Sequence, residues 1–480
     1  MKDDPERLQA RAMLVLLVVT ILFSGFLLWR QIGSAVAANL WNVRFIQAAA
    51  RGAELPAPIP ELNWWQYAWL GRAELTRSNL AAARIALDSL KNNSDPQAVA
   101  VLGKLAAAEG DHSRAVEIWS AQGNYQALVQ AAEQAEQAGD FPLSEKYYLA
   151  AYRLAPAENI LSLSSLYIDR LNQPEKAIPL LEETLLAFPA HERWPVWQRT
   201  MGDACRRSQD WICAEAAYQK ALSIAPDDVL SLVGLGYIAR DDKGDMQTAL
   251  DFFSQAVERQ PDQYEGYLAL ADTFSAQGEW QKADPAYLQA ISARPDLVGL
   301  YIARAKGAAK SGDIHLARQT FAEARDRFPA SDIAYYESAA LEYQAGDLAA
   351  AAELIQQALS RMQPPQPWYY RLAGIIEMGQ KDYLAAREIL SSGLKRFPQE
   401  TSLYIELALV EKELNHPEPA VQAIEKALAG DSPAAYLARA GVIYEWLGDA
   451  PRAIDYYRQA LQRDPTDPVA LPGLQRLEGQ

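Results

Sequence analysis

Two cysteines and four histidines are the residues of this chain best suited to covalent or metal chemistry. Cys205 and Cys213 flank Asp210. Placed near the end of one helix and the start of the next, they sit opposite each other across a turn. A disulfide is geometrically possible there if the Cβ atoms face. Such a bond belongs to an oxidising compartment; the other reading of the pair is two small buried hydrophobes. His112, His191, His315 and His416 are scattered, and none has a second ligand-type residue at a recurring metal spacing. There is no Gly-rich phosphate loop and no Gly-x-Ser-x-Gly elbow. Paired acids abound, but at turn positions helix capping accounts for them. This inventory predicts no enzyme, no metal and no cofactor.

The elements that position these residues form a repeat. Gly244-Asp245, Gly278-Glu279, Gly312-Asp313 and Gly346-Asp347 recur 34 residues apart. Two more steps pass Gln380 and Leu414, and a third reaches Gly448-Asp449. An Ala stands five residues after each of these glycines: Ala249, Ala283, Ala317, Ala351 and Ala453. A fixed period of this size means stacked supersecondary units rather than one globular core. Within 264–297, Tyr267, Leu270, Ala271 and Phe274 form one helical stripe, and Ala283, Tyr287 and Ala290 form a second. Gly278 ends the first helix and Pro295 the second, so the unit is a helical hairpin. No strand-like alternation is evident, and the predicted class is all-α.

This pattern resembles the tetratricopeptide repeat (TPR) family. The small residue before the turn recurs as Gly71, Gly103, Ala132, Ser165, Gly202 and Gly236, then from Ala271 to Gly441. The small residue of the second helix runs from Ala83 through Ala214 and Ala317 to Ala453. The resemblance implies a right-handed superhelical solenoid of about twelve helical hairpins over 62–465, followed by a capping helix in 466–480. The second unit is short, with 29 residues from Gly110 to Gly139. TPR proteins usually hold partners in a concave groove lined by the first helix of each unit. Mapped here, that face carries Ile302, Lys306, Tyr336, Tyr343, Trp368, Arg371, Ile375, Met378, Ile405, Leu409 and Trp446. The set is apolar for a solvent-facing surface, so it either anchors a protein partner or packs on itself. Arg193, Arg199, Arg206 and Arg207 form a basic cluster that meets an acidic partner or pairs with Asp203 and Asp210.

The formal net charge is −16. Residues 1–51 hold six basic and three acidic residues, a balance of +3, so the remainder carries −19. A solenoid of that sign lacks the basic footprint that nucleic acid requires.

Ala12–Trp29 is 18 residues without a charge, bracketed by Arg11 and Arg30. With Trp29 and Trp41 suited to the interface, 12–33 is predicted as a transmembrane helix behind a tail at 1–11. The rival is a cleaved signal peptide ending near Ala35-Val36-Ala37. A short basic tail is easily kept in the cytoplasm, which would put the solenoid outside it. Residues 34–61 continue as a juxtamembrane helix and a Pro-rich linker. Trp64, Trp65 and Trp69 then either fill the first repeat interface or touch the lipid surface.

The reading is a membrane-anchored TPR scaffold that binds protein partners through its groove and no nucleic acid. Alternatives are a fixed structural subunit of a large membrane complex, in an envelope, secretion or electron-transfer assembly, and an accessory of an envelope glycan or lipopolysaccharide enzyme.

Overall fold

Most turns of the repeat are closed by two local devices. A residue in the left-handed region ends the first helix, and an Asp caps the second. Gly278, Gly312, Gly346 and Gly448 adopt φ of 77°, 92°, 83° and 77°, a region where a Cβ is costly. Where the following residue is Asp, its carboxylate accepts a hydrogen bond from the amide three residues on; Glu279 makes no such bond. Asp245 takes the Thr248 N–H at 3.0 Å, Asp313 that of Leu316 at 2.9 Å, and Asp449 that of Arg452 at 3.2 Å. These bonds satisfy amides that a helix start leaves open.

The computed structural model describes residues 67–479 except 69, 70, 73, 76–78, 89, 91–94, 363–365 and 430–431, and the side chains at 82 and 85. Among the described residues the chain is all-helical, with 24 α-helices between Leu80 and Glu478 and a π-helical turn at Leu166–Arg170. No helix among them is long and apolar enough to cross a membrane. The expected span at 12–33 and its flanking Trp29, Arg30, Trp41, Trp64, Trp65 and Trp69 lie outside the described residues.

The chain divides into two compact units, with the boundary between Phe188 and Pro189. The first contains the hairpins Pro96–Ala108/His112–Ala121 and Tyr125–Gln137/Phe141–Leu154, then Pro156–Ser165 and Pro174–Ala187 flanking the π turn. The short second unit has a plain cause. His112–Ala121 is only 10 residues long, and Gly123 at φ 65° turns the chain directly into the next helix. The second compact unit stacks eight hairpins from Trp194 to Arg463 and ends on the helix Ala470–Glu478.

Packing inside each hairpin follows one rule. A small residue on the first helix faces a large one on the second. A Cβ built on Gly103 would fall 2.2 Å from the Trp119 ring, on Gly202 2.6 Å from Tyr218, and on Gly374 2.7 Å from Leu390. Tyr218 is also met from the next unit, where a Cβ on Gly234 would come within 2.4 Å of it. Trp119, Tyr218 and Leu390 are almost wholly buried. The small residues let the helices close, and the large ones fill the space between them.

The period is not strictly kept. Stepping by 34 reaches Gln380 and Leu414, but the left-handed residues are Lys381 and Asn415, with φ of 65° and 60°. The connection from Arg361 to Pro367 is one residue longer than that from Arg327 to Asp332, which displaces both. The shortened helix Pro417–Ala427 and the connection after it remove that residue again, so Gly448 returns to register.

Candidate functional site

The groove-facing positions of the second unit lie on five successive first helices: Val298–Lys310, Asp332–Gln344, Pro367–Gly379, Thr401–Glu413 and Ala434–Trp446. Their side chains form two interleaved systems, one aromatic and one ionic.

The aromatic system centres on Tyr336, Trp368 and Tyr369. The Tyr336 and Tyr369 rings lie 4.6 Å apart between centroids, and Trp368 stands 6.3 Å from Tyr369. Tyr369 is buried, and its hydroxyl donates to Asp332 at 3.0 Å, which locks the ring. Burial, and secondarily the Glu337 carboxylate, push the Tyr336 hydroxyl above the usual tyrosine range. Trp368 is 47% exposed and Tyr343 37%. Ile375, Met378, Leu409 and Trp446 are half-buried.

Two expected groove residues are not there. Ile302 and Ile405 are 9% and 1% exposed. Ile302 shares a buried cluster with Ala305, Phe321 and Leu341, and Ile405 one with Ala408, Ile424 and Leu437. At both places neighbouring helices close over the aliphatic side chain. At the same repeat position Tyr336 and Arg371 are too long to be covered and reach the surface.

The ionic system runs across all five helices. Lys306 binds Glu337 at 3.0 Å. Arg371 reaches the buried Glu406 carboxylate through Nη2 at 2.9 Å and Nε at 3.0 Å. Arg439 approaches the same Glu406 Oε1 at 3.4 Å. No spacing along one helix pairs these residues, because each partner lies about one repeat away.

The remaining chemistry-bearing residues are occupied structurally. Cys205 and Cys213 are joined by a disulfide with Cα atoms 5.8 Å apart. Asp210, between them, caps the second helix through the Cys213 N–H at 3.0 Å. Two of the clustered arginines have partners inside the fold: Arg199 binds Asp228 at 2.6 Å, and Arg206 lies over the Tyr237 ring at 5.3 Å. His112 Nδ1 is 2.9 Å from the Tyr147 hydroxyl, and His416 Nδ1 is 2.7 Å from Glu411. Burial pushes the Tyr147 hydroxyl up to about 12. Among the described residues no group of three or more His, Cys, Asp or Glu could hold a metal ion.

Three family profiles described as tetratricopeptide repeat match this chain, at residues 199–264 and 302–367, at 267–297 and at 434–467. The chain therefore carries tetratricopeptide repeats. No curated protein sequence matches it. Among solved structures it is similar to yeast Tom70, with 16% identity and a TM-score of 0.47 over 86% of this chain and 99% of that one. It is also similar to a tetratricopeptide repeat protein from Parabacteroides merdae ATCC 43184, at 19% identity and TM-score 0.41, covering 52% of this chain and 98% of the other. A third is the APC/C hetero-tetramer Cut9-Hcn1, at 15% identity and TM-score 0.38, covering 87% and 96%.

Proposed function

Since the chain carries tetratricopeptide repeats, a fold that generally mediates protein interaction, we propose that it is a scaffold recruiting protein partners to the groove of its second unit. Tyr336, Tyr343, Trp368, Arg371, Ile375 and Leu409 form the docking surface. The observation that carries this reading is Trp368. It is the most exposed aromatic of the groove, yet it stands beside Tyr369, a ring fixed by burial and by its bond to Asp332. A large aromatic side chain exposed in a groove is the form of an interaction anchor, because a few such residues carry most of the binding energy of an interface.

In this proposal residues 12–33 tether the scaffold to a membrane, with the repeats outside the cytoplasm. The uncharged stretch Ala12–Trp29 supports the tether. The Cys205–Cys213 disulfide supports the side, since such bonds persist in oxidising compartments.

The test is recovery of partners from solubilised membranes with wild type and with a Trp368→Ala/Tyr336→Ala chain whose helicity is checked by circular dichroism. Undiminished recovery by a folded double variant sinks the groove assignment. Release of the protein by an alkaline membrane wash sinks the tether.

A further inference from the structure

Along the five helices lining the groove, charges alternate in sign: Lys306, Glu337, Arg371, Glu406, Arg439. Each carboxylate answers a cation on a neighbouring helix. The row contains three cations and two carboxylates, so one positive charge is left over. It is left at Arg439, because the contacts of Arg371 and Arg439 with Glu406 differ in quality. Arg371 uses two donors, at 2.9 and 3.0 Å, whereas Arg439 uses one, at 3.4 Å.

A guanidinium has five donors in a planar fork that matches a carboxylate. Four of the donors of Arg439 therefore have no partner among the described residues. Its side chain is 32% exposed, so those donors are within reach of a bound chain. Glu406 itself is 3% exposed and already committed to Arg371. Its Oε1 already takes both Arg371 donors, and Arg439 adds only a longer third contact to that same oxygen.

We propose that Arg439 receives the carboxylate of an acidic side chain from an internal segment of the docked partner protein. This rests on the groove being the docking surface. The charge complementarity is local: in a chain of net charge −16, this is a cation that its own ladder does not neutralise. A fork-to-fork pair at a partly dry site is worth more than an exposed ion pair. An internal acid is favoured over a chain terminus because apolar positions continue around it. Ile375 and Leu409 precede Arg439 along the groove, and Val442 and Trp446 follow it on its own helix. The partner segment therefore carries apolar side chains for these positions and an Asp or Glu for Arg439.

The experiment uses the full chain against an array of synthetic segments with blocked termini. Each carries aromatic or aliphatic anchors and one Asp or Glu, and each has an Asn or Gln copy. A parallel set has the acid only as a free C-terminal carboxylate. Wild type should bind the best acidic segments about tenfold tighter than their amide copies, the factor that 1.4 kcal/mol represents. Arg439→Gln should erase that difference and Arg439→Lys should retain part of it. Both variants leave Arg371 on Glu406, so their circular dichroism should match wild type. Amide copies that bind as well as the acids overturn the proposal, as does an unaltered preference in Arg439→Gln. Preference confined to free C-termini also overturns it, in favour of terminal recognition. In all three cases loss of binding in Trp368→Ala would show that the groove reading still stands. If wild type binds no segment of the array, both readings fall.

Discussion

The ring of Tyr457 occupies the space a side chain on Gly441 would need. A Cβ placed on that glycine would lie 2.4 Å from the tyrosine Cε1. On its other side, a Cβ on Gly473 of the terminal helix would come within 2.4 Å of the same ring. Tyr457 thus ties three helices together, and its hydroxyl donates to Glu445 at 2.5 Å.

Gly441→Ala should lower stability by about 1–3 kcal/mol, because a buried ring must move to admit one methyl group. Denaturant unfolding of the purified protein measures this. An unchanged midpoint would show that the ring and the helix can separate at no cost.

Gln209→Gly should raise stability by about 0.5–1 kcal/mol. Gln209 ends its helix at φ 62°, an exposed left-handed position that most units fill with Gly. The same unfolding experiment tests it, and a loss of stability would contradict the stated cost of this conformation.

Reduction of the Cys205–Cys213 bond should destabilise the protein by about 2–3 kcal/mol, the entropy that a short crosslinked loop removes from the unfolded chain. Unfolding with and without reductant gives the number. Non-reducing mass spectrometry of freshly isolated protein should find the crosslink, and two freely alkylated thiols would remove the support it lends to an external location.

Trp368→Ala should weaken partner binding by at least about 2 kcal/mol while changing fold stability by less than about 1 kcal/mol. The asymmetry follows from its exposure, since the fold does not cover the ring. Comparing binding isotherms with unfolding curves separates the two effects. Equal losses in both would reassign Trp368 to packing.

Acid should loosen the C-terminal end of the second unit. Its last helix is held by Arg476, which binds Glu445 at 3.0 Å. The Arg476 hydrogen bond, helped by the Tyr457 hydroxyl, holds the Glu445 carboxyl below its usual range. A depressed carboxylate contributes stability that is complete above its unfolded value. That stability is lost as pH falls from about 4.5 through the lower folded value. Amide exchange in 470–478 should therefore speed up, relative to the rest of the unit, between pH 5 and pH 3. Glu445→Gln should lose most of that differential response, and an identical profile in the variant would exclude this carboxylate as the cause.

By itself the sequence determined the features that are local. The 34-residue period, the Asp caps at Asp245, Asp313 and Asp449, the left-handed glycines and the all-helical class each depend on residues within a few positions of one another. Capping and hydrophobic periodicity act over such distances, so they can be read from one chain. Even the displaced turns at Lys381 and Asn415 were one residue from the expected places, because a lengthened connection shifts phase without changing the hairpin. What the tertiary structure decided was exposure and pairing across units. Ile302 and Ile405 share a repeat position with Tyr336 and Arg371, yet the first two are covered and the last two reach the groove. Glu406 serves Arg371 and Arg439, which stand 35 residues before it and 33 after it. Those outcomes depend on how closely stacked first helices approach and how far each side chain extends, and neither is encoded in the spacing of residues along one helix.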